Sequence, residues 1–340
     1  MRSLMDEIIA YKLKFHTPLH IGAHGVGYEE TEEILHSDTL FSALMSLWGS
    51  FYDDEIEVLC KSSPFIISSA FPFKGATYFF PRPMIRIGKQ SDDDLETGKK
   101  LKRVKFISLD LLEKMLNGEG ERLRFDEVNT FQEGNFWYLD HSASFSGTDR
   151  VFSEREIPRV SIDRMTNSSD IFYFSEILFE EDAGLFFLVR FKDAGVRSKF
   201  ETTLRFLGDE GIGGDKRVGK GLYSIDIEDG FHISVPPKAE AFLNLSLYYP
   251  KEEEFCNGIL DGASYNLISR KGWIHAPGAM SLRRKEVRMF AEGSIFHCLE
   301  KEVYGENPCV LKREDAPGLK HNIYRYGMAF SLPIVMEQAR

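Results

Sequence analysis

The chain begins with a predicted strand, a loop and a helix. From Ile9 to Phe15 apolar residues alternate with polar or small ones, the period-two pattern of a half-buried β-strand. After a loop with Gly22, Gly25 and Gly27, apolar residues recur at helical spacing at Leu40, Phe41, Leu44, Leu47, Trp48 and Phe51. Ser37 and Asp38 precede this helix. We expect them to cap it, which explains Asp38 better than a role as a catalytic base.

The same patterns predict the elements that follow. They are short strands within Phe65–Phe73 and Tyr78–Met84, a helix over Leu109–Leu116 capped by Ser108, a strand over Gly184–Phe191, a helix with Val196, Phe200, Leu204 and Leu207 on one face, and a strand over Tyr223–Ile227. Residues from His141 to Ser169 are polar and lack sustained periodicity. We expect a long loop there, functional or disordered.

A second domain is predicted after Pro236 and Pro237, which read as a linker. Alternation resumes from Leu243 to Tyr249, and Arg325 to Ile334 is the expected closing strand. The order of elements favours an α+β fold: a split βαβ, ferredoxin-like (RRM-like) unit with insertions over residues 1–235, and a shorter copy over 236–340. An α/β arrangement is the alternative.

Composition narrows the class of protein without fixing it. The formal net charge of −11 argues against a uniformly basic nucleic-acid-binding domain, although binding depends on local potential. The basic residues cluster in three runs, any of which could be a solvated face: Lys99, Lys100, Lys102, Arg103 and Lys105; Lys216, Arg217 and Lys220; Arg283, Arg284, Lys285 and Arg288. Some of the 28 Phe and 13 Tyr could stack on bases.

Other classes find no support in the sequence. The four cysteines form no C-x-x-C pair, so neither a zinc site nor a disulfide framework is predicted, and no cofactor is implied. There is no signal-peptide pattern and no apolar run of membrane-spanning length. We expect a cytoplasmic protein.

A glycine-rich, basic loop is the strongest chemical signal. Residues Gly214 to Lys220 spell G-x-x-x-x-G-K, but Gly221 stands where a P-loop needs Ser or Thr, and the loop runs from helix to strand. What remains are glycines that permit close backbone approach to a phosphate and cations that attract it: Gly211, Gly213, Gly214, Gly219 and Gly221, with Lys216, Arg217 and Lys220. A mobile hairpin with solvated charges is the alternative.

Two other segments carry candidate contacts. His16, His20, His24 and His36 surround the first glycine loop, where a metal-independent ribonuclease could find its base, although a lone histidine is more often structural. In the second segment, Arg159 and Arg164 could hold a nucleic-acid backbone while Ile162 wedges between bases. The alternative is a loop packed by Ile162, with Asp163 paired to Arg164.

Together these stretches resemble the RAMP superfamily of CRISPR proteins (Cas-five-like group). Leu19–Gly22 with His36–Leu44, Arg159–Thr166 and Gly211–Gly221 look like the family's first strand, loop and helix, its thumb and its Gly-rich loop. Met289–Phe296 and Tyr324–Phe330 look like the closing motifs of the fourth subunit of type III-A Csm complexes. The resemblance covers nearly the whole chain.

The resemblance implies a non-catalytic RNA-binding and scaffolding subunit with two ferredoxin-like domains and a thumb at about 141–170. Its partners would be the 5′ handle of the CRISPR RNA, the large polymerase-like subunit, the adjacent backbone subunit and target RNA near the first guide position. A RAMP endoribonuclease that processes repeat RNA is the alternative. Beyond the loop and thumb residues, the expected RNA contacts are His20, Gly22, Ser37, Arg283 and Arg284. The run 99–105 matches no motif.

Overall fold

The fold is mixed α+β, as predicted. The computed structural model describes residues 7–22, 28–87, 101–124, 128–139, 143–274, 282–299, 301–315 and 319–336. His24, Gly25, Gly27, Lys99 and Lys100 lie outside these ranges. The α-helices with bounds inside them are α1 (Ser37–Phe51), α2 (Ile56–Lys61), α3 (Leu109–Leu116), α4 (Arg197–Glu210) and α5 (Glu252–Cys256).

The first eleven strands supply a large sheet and a separate hairpin. Their bounds are β1 (Ile9–Phe15), β2 (Phe65–Ile67), β3 (Phe71–Lys74), β4 (Thr77–Pro81), β5 (Phe106–Ser108), β6 (Val128–Phe131), β7 (Phe136–Leu139), β8 (Phe152–Ile162), β9 (Ser169–Phe179), β10 (Ala183–Phe191) and β11 (Tyr223–Glu228). The large sheet has the order β11-β1-β10-β3-β4-β5-β7-β6, with β2 also on β10. Because β10 lies antiparallel between β1 and β3, α1 and α4 are crossover connections.

Alternation in β1 reflects two separate cores on the two faces of this sheet. Tyr11 and Leu13 pack with Trp48 of α1 and Leu204 of α4, whereas Ala10 faces the cluster that contains Leu112 of α3. Both faces are therefore covered near the centre of the sheet. The predicted strands and helices up to β11 are confirmed except between β7 and β10.

The segment predicted as a long loop is a β-hairpin over most of its length. Strands β8 and β9 pair antiparallel in unbroken register from Phe152 opposite Phe179 to Ile162 opposite Ser169. The loop prediction is wrong there because most side chains beyond the base of the hairpin are exposed on both faces. Without a buried face, the sequence need not alternate between apolar and polar residues.

The second half of the chain folds as short sheets joined to the first half. Its strands are β12 (Ala241–Asn244), β13 (Leu267–Arg270), β14 (Trp273–Ile274), β15 (Leu282–Arg283), β16 (Val287–Phe290), β17 (Ile295–His297), β18 (Cys309–Leu311), β19 (Ile323–Tyr324) and β20 (Ser331–Ile334). The β17-β12-β20 sheet packs Leu243 and Ile334 into the cluster that holds Leu112. The two halves therefore share a core.

Both strands predicted in this half are shorter than expected. The first ends at Asn244, whose side chain turns to bond Ser246, and the last begins only at Ser331. The short sheets do not confirm a second ferredoxin-like copy over 236–340, which stays a prediction.

The described ranges contain neither a membrane-spanning helix nor a cluster of metal ligands. No helix there is both long and apolar enough to cross a bilayer. Nor do three His, Cys, Asp or Glu side chains in those ranges come together as a metal site would need. The four cysteines are free.

Candidate nucleic-acid interface

The Gly-rich loop, Gly211–Gly221, packs directly on the first loop of the chain. The backbone N–H of Gly214 donates to the carbonyl of His20 at 2.8 Å, and that of Gly221 donates to Pro18 at 2.9 Å. A Cβ atom on Gly213 would lie 2.3 Å from the His20 carbonyl oxygen, and Gly213 also has a φ of 89°. Glycine is therefore required here for close approach to the chain's own backbone.

The β8–β9 hairpin meets this loop around one buried aromatic ring. The guanidinium of Arg159 lies 4.1 Å from the Phe174 ring centroid, and its Nη2 is 2.5 Å from Asp215 Oδ2 in the loop. The His20 ring packs on Phe174 at 4.4 Å, and Lys220 Nζ lies over that ring at 4.6 Å. We call these five residues the Phe174 junction. It brings hairpin, first loop and Gly-rich loop into one surface.

A buried carboxylate beneath the junction binds one of the three cations of the Gly-rich loop. Glu176 is fully buried and accepts hydrogen bonds from Lys220 and from Arg155 Nε at 2.6 Å. Burial by itself would raise the pKa of Glu176, but these two cations lower it. The Lys220 side chain is therefore occupied, whereas Lys216 and Arg217 are exposed.

The predicted thumb tip is exposed rather than packed. Ile162 is 64% exposed, and Arg164 next to it in the turn is also exposed. Asp163 does not pair with Arg164; its Oδ1 accepts the backbone N–H of Met165 at 2.7 Å. The alternative of a loop packed by Ile162 is wrong. Ile162 and Arg164 are exposed at the end of the hairpin, whereas Arg159, the third predicted contact, pairs with Asp215.

The described histidines near the first loop have separate environments. His20 is buried, its Nδ1 is 2.7 Å from the Ser175 carbonyl, and burial lowers its pKa, so it is neutral near pH 7. His16 is exposed and lines a cavity of about 410 Å³ with Arg205 and Asp209. His36 is buried in an ionic network elsewhere.

That network surrounds the first turn of α1. Both carboxylate oxygens of Asp38 accept from the Arg270 guanidinium, at 3.0 and 3.1 Å, and Asp38 also pairs with Arg325. Burial would raise the pKa of Asp38, but the two arginines hold it well below its usual range. His36 lies 2.8 Å from Glu292 and 3.0 Å from Glu32. We call these six residues the Asp38 network; it joins α1 to the second half of the chain.

The network corrects two predictions. The N-cap of α1 is His36, and no side chain caps the helix, because Asp38 is turned to the arginines. Ser37 is fully buried, and its Oγ accepts the backbone N–H of Leu247 at 2.9 Å, so this hydroxyl is not available to RNA. Similarly, Ser108 is the N-cap residue of α3 but makes no side-chain capping bond.

The remaining predicted contacts lie apart from the junction or at its edge. Gly22 is exposed and forms a β-bridge with Thr31. Arg283 is exposed in β15. Arg284 Nη1 is 3.3 Å from Ser42 Oγ on α1, and burial with nearby Arg325 lowers its pKa to about 10. The run 99–105 is described only in part, and Lys105 within it pairs with Glu33 at 2.8 Å.

The Asp38 network predicts a pH-dependent stability. Burial alone would lower the pKa of His36, but Glu292 and Glu32 raise it to about 10 from 6.5. Since the folded state holds this proton more tightly, its stabilisation is complete below pH 6.5 and is lost as pH rises toward 10. We expect the free energy of unfolding, measured with urea, to fall by roughly 1–3 kcal/mol more between pH 6.5 and 9.5 in the wild type than in His36→Gln. Parallel profiles would contradict a charged His36.

Sequence reasoning missed the residues that organise the junction. Phe174, Glu176 and Asp215 are buried or half-buried anchors. Their role depends on the pairing of β8 with β9, and a segment predicted to be a loop has no such pairing. Arg155 opposite Glu176 is a cross-strand pair of opposite charge, the one signal that could have pointed to the hairpin.

Comparison with known proteins identifies the family of the chain. A model of the RAMP superfamily matches residues 12–224, and a model of the CRISPR Csm4 C-terminal domain matches residues 237–334. Among curated proteins, Csm4 of Thermococcus onnurineus (strain NA1) is 27% identical over 324 residues, covering 90% of this chain and 93% of that protein. Csm4 of Mycobacterium tuberculosis (strain ATCC 25618 / H37Rv) is 24% identical over 285 residues, covering 82% and 84%.

Solved structures share the fold. A chain in the crystal structure of a Csm3–Csm4 subcomplex of the type III-A CRISPR-Cas interference complex matches with a TM-score of 0.66 at 16% identity, covering 97% of this chain and 100% of its own. A match in the Csm1–Csm4 cassette with cA4 has a TM-score of 0.59 at 22% identity, covering 98% and 100%. With residues 12–224 matched to one model and residues 237–334 to the other, the chain belongs to the RAMP superfamily of CRISPR proteins and carries a Csm4 C-terminal domain.

Proposed function

We propose that the chain is an RNA-binding, scaffolding subunit of a type III-A CRISPR effector complex that works in the cytoplasm and grips the 5′ handle of the CRISPR RNA. The observation that carries this proposal is the Phe174 junction. It fixes the Gly-rich loop against the hairpin while leaving Lys216 and Arg217 exposed beside them. Local positive charge of this kind attracts a phosphate backbone even on a chain of net charge −11.

The glycines support backbone contact in a specific way. Their close packing on His20 and Pro18 holds the loop in one conformation, so its exposed end is presented to RNA already ordered. Pre-ordering lowers the entropy lost on binding. Lys220 contributes indirectly to RNA binding, because it pairs with the buried Glu176 and keeps the loop close to the hairpin.

The exposed hairpin tip suits the thumb role. Ile162 and Met165 are 64% and 92% exposed, beside Arg164. Apolar side chains that enter between base steps, with a cation holding the adjacent phosphate, are a known way to interrupt stacked nucleic acid. We place this tip near the first position of the guide–target duplex.

The partner proposal comes from the related complexes. Proteins of the same fold are solved with a Csm1 subunit and with a Csm3 subunit. We therefore propose that this chain links a large Csm1-type subunit to a Csm3-type backbone subunit, with the ferredoxin-like arrangement in both halves. We propose no catalytic residue.

A binding and cleavage assay tests this function. Purified protein is mixed with labelled repeat-derived RNA without metal, and both affinity and product size are measured. We expect salt-dependent binding without cleavage, and weaker binding of single-stranded DNA of the same length and sequence.

Cleavage would contradict the scaffold role and favour the endoribonuclease alternative. The exposed His16 beside Arg205 and Asp209 is then the first residue to replace. His20 and His36 serve as comparisons, because both are buried and hydrogen-bonded or ion-paired. Absence of binding at moderate salt would contradict both functions.

A further inference from the structure

The β8–β9 hairpin has two faces of opposite chemistry. Alternate residues of a strand point to opposite faces. With the observed register, one face carries Arg155 and Arg159 with Phe174, Glu176 and Asp170, and this side of the hairpin meets the Gly-rich loop with its exposed Lys216 and Arg217. We call it the cationic face. The opposite side, which we call the acidic–apolar face, carries Glu154, Glu156, Val160, Ile171 and Tyr173, and it stops short of the tip, where Ile162 adjoins the turn.

The outer part of the acidic–apolar face is a contiguous apolar surface. Val160 and Ile171 are directly opposite one another in the register, and they are 57% and 68% exposed. Tyr173, which is 48% exposed, follows Ile171 on the same side, toward the base of the hairpin. Exposed apolar residues grouped in this manner mark an interaction surface.

The inner part of the same face is acidic. Glu154 and Glu156 are exposed, and Glu154 also lines a cavity of about 570 Å³ at the base of the hairpin. Four further carboxylates line that cavity: Glu30, Glu32, Glu33 and Glu292. The cations among its lining residues, Lys105 and His36, are already paired with Glu33 and with Glu32 and Glu292. The free charge toward solvent is negative.

This chemistry disfavours RNA on the acidic–apolar face. Phosphates are repelled by Glu154, Glu156 and Glu30, and the adjoining side chains are aliphatic. A protein surface with Lys or Arg side chains around an apolar patch is complementary to both parts. We infer that the acidic–apolar face docks a neighbouring protein subunit of that chemistry while RNA follows the cationic face. The inference rests on the proposed function for the RNA side and for the choice of partner subunits.

The test separates the two faces in full-length protein. The variant Glu156→Lys with Ile171→Ser changes two exposed residues of the acidic–apolar face. The probes are a Csm1-type subunit and a Csm3-type subunit from the source of this chain, each titrated separately, and repeat-derived RNA. Glu302→Lys with Val58→Ser is the matched control, since both residues are exposed elsewhere. Thermal midpoints verify that both variants fold.

We expect the face variant to bind one of the two subunits at least tenfold more weakly, with a reduced dependence of that affinity on salt and RNA affinity within twofold of wild type. The control variant should match wild type. Unchanged affinity for both subunits would overturn the inference, as would a change confined to RNA, which would place RNA on this face. If wild type itself fails to bind RNA, the proposed function fails, whereas the subunit titrations still decide the docking surface.

Discussion

Replacing Asp38 with Ala lowers the free energy of unfolding by about 3–5 kcal/mol, the loss expected when one partner of a buried ion pair is removed. Asp38 is 1% exposed, and Arg325 and Arg270 are 3% and 9% exposed. Without the carboxylate, two guanidinium groups stay buried close to each other and to Arg284. Asp38 is the acid paired with Arg325, whose Nε and Nη2 have no hydrogen-bond partner in the described structure, whereas Arg270 would keep Glu32 at 3.9 Å.

The size of this effect distinguishes the network from the capping role that the sequence predicted. Loss of an N-cap side chain costs about 1 kcal/mol. The measurement is urea unfolding of Asp38→Ala and of Asp54→Ala, an exposed acidic residue that serves as control. A loss near 1 kcal/mol, or a loss shared by the control, would contradict the network.

The pattern of apolar residues along the chain predicted the elements that are buried in a core, and it failed where side chains are exposed or where the interacting partner is distant in sequence. Alternation from Ile9 to Phe15 gave β1 because its two faces enter different cores. The β8–β9 hairpin has no such pattern beyond its base. A local capping rule was applied to Asp38, whereas the two arginines that hold it lie 232 and 287 residues further along the chain and have no local signature.

The Gly-rich loop shows a third kind of outcome. The glycines predicted a close backbone approach to a phosphate, which stays a prediction, whereas the group approached in the structure is the His20 carbonyl of the chain itself. In the sequence, nothing distinguished the three cations of the loop from one another. Only the position of Glu176, buried in the hairpin, separates Lys220 from the exposed Lys216 and Arg217. The contribution of each cation to RNA binding therefore follows from the tertiary structure.

The double variant Lys216→Ala with Arg217→Ala should bind handle RNA about tenfold more weakly at 0.15 M salt, because two phosphate contacts vanish. The slope of log affinity against log salt should become shallower by about 1.4, the value for two contacts on a single strand. Thermal stability should not change, since both side chains are exposed. The control is Lys61→Ala with Lys238→Ala, which removes the same charge from exposed positions elsewhere.

Lys220→Ala should behave differently. It leaves the buried Glu176 with Arg155 as its remaining partner, so we expect a lower unfolding midpoint together with weaker RNA binding. A Lys220→Ala, Glu176→Gln pair should restore much of the midpoint, because the uncompensated charge is gone, and RNA affinity should recover with it. If the double substitution restores stability but not affinity, Lys220 itself contacts RNA. If the Lys61, Lys238 control loses as much affinity as the Lys216, Arg217 variant, overall charge rather than the loop holds the RNA.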